Sequence, residues 1–177
     1  MIRSFVNELK GKLETFRTLN NNEIRKLNDI AKKYNIKYQN KHKLDLVDEI
    51  LSNVDVIPNS IVLAQAAIES GWGKSRFAKE YNALFGEYTY DDSEGVIPLE
   101  RENGDTHLIK AFSSYSNSVK SYFDNINSHY AYEDFRDIRN IMRKRNNFSN
   151  VNLLVNKLST YAEDENYIKT IRQVIKT

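Results

Sequence analysis

The sequence has no cysteine among its 177 residues, which excludes a disulfide framework and any thiolate metal site. Histidine is scarce as well. His42, His107 and His129 are scattered and show no metal-ligand spacing, so neither a metal nor another cofactor is expected. No run of eighteen apolar residues occurs, so no transmembrane helix and no membrane insertion are expected. An apolar amino-terminal region resembling a signal peptide is missing too. Net charge is small: 26 Lys and Arg against 24 Asp and Glu leave +2 at pH 7, too little to argue for a nucleic-acid partner. There are no repeats, no low-complexity tract and no convincing linker. What is present, 40% hydrophobic and 28% charged residues, describes a globular chain long enough for one domain with a sizeable core.

One stretch organises the rest, Ile61-Val-Leu-Ala-Gln-Ala-Ala-Ile-Glu-Ser-Gly-Trp-Gly-Lys-Ser75. Its alanines favour helix, and Val62, Leu63 and Ile68 supply apolar bulk. Asn59 or Ser60 is the expected N-cap, and Gly71 and Gly73 the expected exit. Glu69 falls on the face of Val62, Gln65 and Ala66, and a carboxylate on an apolar face is costly unless paired or protonated. Apolar surroundings and the end of the helix both disfavour its charge. The sole tryptophan, Trp72, stands three residues on, where it could wall off water. A glutamic acid kept neutral near pH 7 can act as a general acid. The plainer reading is a helix-end glutamate in solvent, or one paired with Lys74 or Arg76.

Periodicity predicts helices over most of the remainder. One covers residues 1–18 with Ile2, Phe5, Leu9, Leu13 and Phe16 inward; a second ends near Tyr34; a third spans about Lys43 to Asn53. These three read as a buttress, residues 1–54, for a core formed by residues 55–177, the two together making one domain. Residues 86–111 lose helical periodicity, carry strand formers and turn signals, and read as a small β-region. Further helices are expected from Asn117, over Phe135 to Arg145, after a Ser149 cap, and from Asp164 to Ile175. Arg136, Arg139, Arg143, Lys144 and Arg145 read as a solvated basic face, with contact to an anionic wall polymer the lesser alternative.

Ala64-Gln-Ala-Ala-Ile-Glu-Ser-Gly-Trp-Gly-Lys-Ser75 followed by Asn82-Ala-Leu-Phe-Gly86 resembles the signature of glycoside hydrolase family 73, the bacterial N-acetylglucosaminidases of peptidoglycan. The resemblance extends to the Bax-type branch through Asp55-Val-Ile-Pro58, Asn127-Ser-His-Tyr-Ala-Tyr132, Leu158-Ser-Thr-Tyr161 and Tyr167. It covers the chain from about Leu19 onward. It implies a mainly α, lysozyme-like α+β fold whose small β-hairpin region flanks a sugar cleft. The implied activity is cleavage of the β-1,4 bond after N-acetylglucosamine, with Glu69 as general acid. Lytic transglycosylase or muramidase action, or glycan binding without catalysis, are the alternatives on the same fold. The implied partner is the peptidoglycan glycan strand, met by a monomer in the periplasm or outside the cell. Export would then depend on something beyond this sequence, such as a segment trimmed away, a phage origin or another secretion route.

Such chemistry needs a proton donor and a second group for the cationic transition state. Acidic residues of the 87–105 region are the available pool, with Glu100 and Glu87 as candidates; assistance by the substrate's N-acetyl group is the other option. Tyr161 matches a family tyrosine that lies over the scissile bond. Trp72, Gln65, Phe85, Tyr115, Tyr132 and Tyr167 complete the expected substrate-binding set, although aromatic residues serve as readily in core packing. Asn127 and His129 read as structural residues that satisfy buried polar groups.

Overall fold

The four orphan groups at each end of a helix need partners, and at some ends a side chain supplies one. The structure, a computed structural model, describes residues 1–98, 106–162 and 164–176. In chain order its elements are α1 (Ile2–Glu14), α2 (Asn21–Lys33), α3 (Lys43–Asn53), α4 (Asn59–Glu69), α5 (Arg76–Tyr81), β1 (Tyr88–Thr89), β2 (Gly95–Val96), β3 (Leu108–Lys110), α6 (Tyr115–Ser128), α7 (Glu133–Lys144), α8 (Asn152–Val155) and α9 (Tyr167–Lys176). A 3-10 turn, Tyr130–Tyr132, precedes α7. The fold is therefore mainly helical with one small sheet. At the start of α2 the Asn20 side chain accepts from the Glu23 amide, and the Glu23 carboxylate accepts from the Asn20 amide, each at 2.9 Å; this is a capping box.

Several boundaries differ from the sequence reading. The chain turns left-handed at Phe16 (φ 58°) just after α1, so Phe16 is exposed instead of inward, and Val6 fills the buried stripe with Leu9. Neither Asn59 nor Ser60 caps α4. Pro58 precedes it, and the Pro58 carbonyl accepts from the Ile61 and Val62 amides at 2.9 and 3.2 Å. Leu63 on that helix is exposed. Ser149 does not cap α8, because its amide and hydroxyl both donate to the Asn147 side chain.

The backbone forms two compact units. One comprises Met1–Val56 and Asp124–Glu165, the other Ile57–Phe123 and Asn166–Thr177. The first three helices thus share their unit with residues 124–165. Within this first unit, Val6, Leu9, Leu27, Ala31, Leu46, Val47 and Ile50 form an apolar core. Beside it lies a polar knot at the end of α3. Asp55 is buried and holds Arg143 through two bonds of 2.8 Å, with Arg3 3.4 Å away. Arg3 donates to the Leu51 carbonyl at 2.5 Å. Arg139, fully buried, donates to the carbonyl of Asn53 at 2.7 Å, that of Asp55 at 3.2 Å and the side-chain oxygen of Asn127 at 2.8 Å. Arg136 is buried and donates to the Ile126 and His129 carbonyls. The basic run is thus not one solvated face: Lys144 and Arg145 are exposed, while Arg136 and Arg139 are buried and terminate helices. Burial pulls the Arg139 pKa down to about 10. Asn127 also donates to the Asp55 carbonyl, the structural role expected of it.

In the second unit α4 packs along α9, and the sheet runs in the order β1-β3-β2, antiparallel throughout. The passage after α5 is tied down at both ends. Asn82 takes a left-handed conformation and donates to the Phe112 carbonyl at 2.9 Å, and the Leu84 amide donates to the buried Ser118 hydroxyl at 3.1 Å. This places Ala83 and Phe85 in the core.

Arg139→Leu is expected to lower the unfolding free energy by at least ~3 kcal/mol, since each buried acceptor that loses its charged donor costs about 1–3 kcal/mol. Lys157→Ala, which removes an exposed ion pair with Asp134, should cost less than ~1 kcal/mol. Urea unfolding of the two variants side by side measures the contrast; similar losses would mean that the arginine knot carries no more than a surface pair does.

Candidate active site

Glu69 is the last residue of α4, and the turn that ends this helix accounts for the residues around it. Ser70 is buried. Its hydroxyl donates to the Ala66 carbonyl at 2.5 Å and accepts from the Gly73 amide at 2.8 Å, and its carbonyl accepts from the Ser75 amide at 3.0 Å. Between these bonds Gly71, Trp72 and Gly73 are all left-handed, at φ 57°, 58° and 73°. A left-handed conformation costs an ordinary residue about 1–2 kcal/mol, so Trp72 is held there against its preference. Ser75 then caps α5, accepting from the Ala78 amide at 3.1 Å. The turn carries Trp72 outward, 66% exposed, and so the indole does not wall Glu69 off from water as the spacing implied.

The Glu69 side chain is half-buried. Its Oε1 accepts a 2.7 Å hydrogen bond from the Tyr167 hydroxyl at the start of α9. Its Oε2 lies 3.9 Å from the point where a side chain on Gly86 would begin. Gly86 has φ +61°, a conformation suited to glycine, and it lets the chain pass close to the carboxyl group. The two halves of the sequence signature, 64–75 and 82–86, therefore meet at Glu69. Neither Lys74 nor Arg76 pairs with it: Arg76 reaches Glu80 at 3.9 Å and donates to the Ile97 carbonyl.

Behind Tyr167 stands a buried chain of polar side chains. Gln65, one helical turn before Glu69, donates its amide nitrogen to the Tyr167 oxygen at 2.8 Å. The Tyr122 hydroxyl donates to the Gln65 amide oxygen at 2.5 Å. Gln65 and Tyr122 are fully buried and Tyr167 nearly so. Phe85 stacks on Tyr122, ring centroids 4.2 Å apart and planes at 15°. Burial pushes the Glu69 pKa above the ordinary glutamate value, partly offset by the Tyr167 hydrogen bond. Burial and the adjacent carboxylate push Tyr167 far above the usual tyrosine range. Tyr167 is thus a permanent hydrogen-bond donor at working pH, and Glu69 is the group that can exchange a proton.

The other expected site residues divide by exposure. Trp72 and Tyr115 are exposed and can present a ring face. Phe85 and Tyr132 are buried and pack inside the protein; Gln65 and Tyr167 hydrogen-bond within it. None of these four offers a free face to a sugar. Tyr161 is half-buried, its ring 6.2 Å from that of Tyr132. Glu87 is half-buried and accepts a 2.7 Å hydrogen bond from Ser121. Glu100 lies outside the described residues. Among those residues no group of three or more His, Cys, Asp or Glu is arranged to hold a metal ion. Tyr122 is a member of this network that was not among the expected site residues. The available signal was the polar Gln65 four residues before Glu69 on an otherwise apolar face, which had to find partners inside.

A family profile described as mannosyl-glycoprotein endo-beta-N-acetylglucosaminidase, the glucosaminidase profile, matches residues 44–177. Protein bax of Escherichia coli is 35% identical over 137 residues, 77% of this chain and 48% of its own length. The peptidoglycan hydrolases FlgJ of Escherichia coli and Salmonella typhimurium are 33% and 32% identical over 93 residues, 45% of this chain and 29% of theirs. The chain thus spans about half the length of the first relative and under a third of the others. The catalytic domain of the autolysin Auto from Listeria monocytogenes aligns with 98% of this chain and 82% of its own, with 18% identity and a TM-score of 0.49.

Because the folded Glu69 pKa lies above its unfolded value, the fold favours the protonated form. That contribution to stability is full below the unfolded pKa, about 4.3 for glutamate, and is lost as pH rises through the folded value. Glu69→Gln is therefore expected to melt higher than wild type at pH 7 to 8 and to lose this advantage near pH 4. Paired thermal melts across the range test it; a difference that ignores pH would leave Glu69 unperturbed by its surroundings.

Proposed function

Because this chain belongs to the glucosaminidase family, glycoside hydrolase family 73, in its Bax-type branch, we propose that it hydrolyses peptidoglycan, cutting the β-1,4 bond after N-acetylglucosamine with Glu69 as general acid. The observation that carries this reading is the state of Glu69. It ends a buried helix, its pKa is raised by burial, and a tyrosine holds one of its oxygens. A carboxylic acid whose pKa is raised holds its proton to higher pH and can give it to the glycosidic oxygen as the carbon–oxygen bond breaks, so the leaving sugar departs as an alcohol. The ionised Glu69 that remains keeps the Tyr167 hydrogen bond.

Positive charge then develops on the sugar and needs a second group. Glu87, next in sequence to Gly86, Glu100 and the substrate's own N-acetyl group are the candidates. Tyr161 is assigned by its match to the family motif: its hydroxyl would orient the N-acetyl group or steady the developing charge. Trp72 and Tyr115, with exposed rings, would carry sugar faces, as aromatic rings do through apolar contact. Peptidoglycan as substrate places the action in the periplasm or outside the cell.

Glu69→Gln should fold and lose about 10²–10⁴-fold in cleavage, the usual range for a general acid. Clearing of cell walls at the wild-type rate would remove Glu69 from the role. Mass spectrometry of the released fragments names the bond: reducing N-acetylglucosamine ends are expected, whereas anhydro ends or reducing muramic ends would make the enzyme a transglycosylase or a muramidase.

Tyr161→Phe separates catalysis from packing. The expected result is an unchanged melting temperature with turnover down at least about tenfold, about 1.4 kcal/mol in barrier. A variant that melts earlier but cuts normally would return Tyr161 to a structural role.

A further inference from the structure

The buried chain Tyr122–Gln65–Tyr167–Glu69 has a direction, and counting protons gives it. An ionised carboxylate can only accept. The Tyr167 oxygen, 2.7 Å from Glu69 Oε1, must then donate its single proton there. Tyr167 next needs a donor for its own oxygen, and the Gln65 amide nitrogen stands 2.8 Å away. That leaves the amide oxygen facing Tyr122, which donates to it at 2.5 Å. Reversing Tyr167 alone would set its proton against the Gln65 amide hydrogens, and the three side chains are at most 3% exposed. The Phe85 ring stacked on Tyr122 holds the far end.

Protonating Glu69 poses a choice between its oxygens. A proton on Oε1 would turn the oxygen that Tyr167 bonds into a hydroxyl, a poorer acceptor than a carbonyl. Turning Tyr167 to accept from it instead would point the Tyr167 proton at the Gln65 amide hydrogens. A proton on Oε2, the oxygen beside Gly86, leaves every bond in place. We propose that Gln65 is a positioning residue that fixes the acid proton of Glu69 on Oε2. This rests on the reading of Glu69 as the general acid. It gives the buried amide a role in the reaction: the proton is kept on the oxygen not engaged inside the protein, where a glycosidic oxygen can take it. Among the described residues, the titratable groups that face this carboxyl are Tyr167 from α9 and, behind it, Tyr122 from α6; Glu87 comes after Gly86 on the loop side and accepts from Ser121.

Infrared difference spectra of the ligand-free protein, stepped through the Glu69 titration and assigned with Glu69→Gln, read which oxygen is the carbonyl. With the proton on Oε2 the carbonyl is Oε1, which Tyr167 bonds. Its stretch should therefore lie low and move up in Tyr167→Phe. In Gln65→Met the lock is gone, so the band should move up as well. The alkaline limb of kcat/KM should rise by about half a pH unit, because Tyr167 can now accept from neutral Glu69, and kcat should fall with KM unchanged. A Gln65 that only supports the fold would lower the melting temperature and leave band and pH limb where they are, and that result overturns the proposal. So does a wild-type band that does not move in Tyr167→Phe. If Gln65→Met fails to fold, Tyr122→Phe removes one distant hydroxyl at nearly constant volume and should move the band the same way by less; an unmoved band there overturns the proposal too. The spectra need no substrate, so they stand apart from cleavage by Glu69→Gln, whose persistence would overturn the general-acid reading instead.

Discussion

The hydrogen bond from Tyr167 to Glu69 is the contact on which the candidate site depends. It joins the end of α4 to the start of α9, the pair of helices that form the spine of the second unit. It also mediates between two opposed effects on one carboxyl group. Burial disfavours the charge and raises the pKa; a donor on Oε1 favours the charge and lowers it. Burial wins, and the group remains an acid that can still ionise and be reprotonated. Without the donor, a newly formed carboxylate would be left poorly solvated; without the burial, Glu69 would be an ordinary surface glutamate, ionised long before neutral pH.

A second constraint keeps that carboxyl accessible. The helix must stop at Glu69 and the chain must leave without covering it. Three successive left-handed residues, one of them tryptophan, do this, and the bonds of Ser70 hold them in place. Gly86 completes the arrangement from the other side, its φ of +61° suiting glycine and its backbone passing beside Oε2. The signature residues of the sequence are thus a backbone device for presenting one acid. The first unit solves a different problem by related means. The carbonyls at the end of α3 lack helical partners, and arginines from α1 and α7 supply the hydrogen bonds, anchored on the buried Asp55.

The order of elements, the limits of α3 and the place of the small sheet were all legible in the sequence, because each rests on local properties. Periodicity, capping residues and glycine positions act over a few residues, and a carboxylate on an apolar face is visible as a pattern. Three things were decided only by tertiary structure. Which way Trp72 faces depends on a left-handed turn secured by Ser70, so an aromatic close in sequence to the acid ended in solvent. Arg136 and Arg139 looked like a charged surface until α3 and Asp55 supplied enough buried acceptors to take them in. The partner of Glu69 is Tyr167, 98 positions further along the chain, and Tyr122 joins the same network through Gln65; no spacing rule links them. Hydrogen bonds between side chains so far apart are set by how helices pack, which a sequence pattern constrains only through which faces are buried.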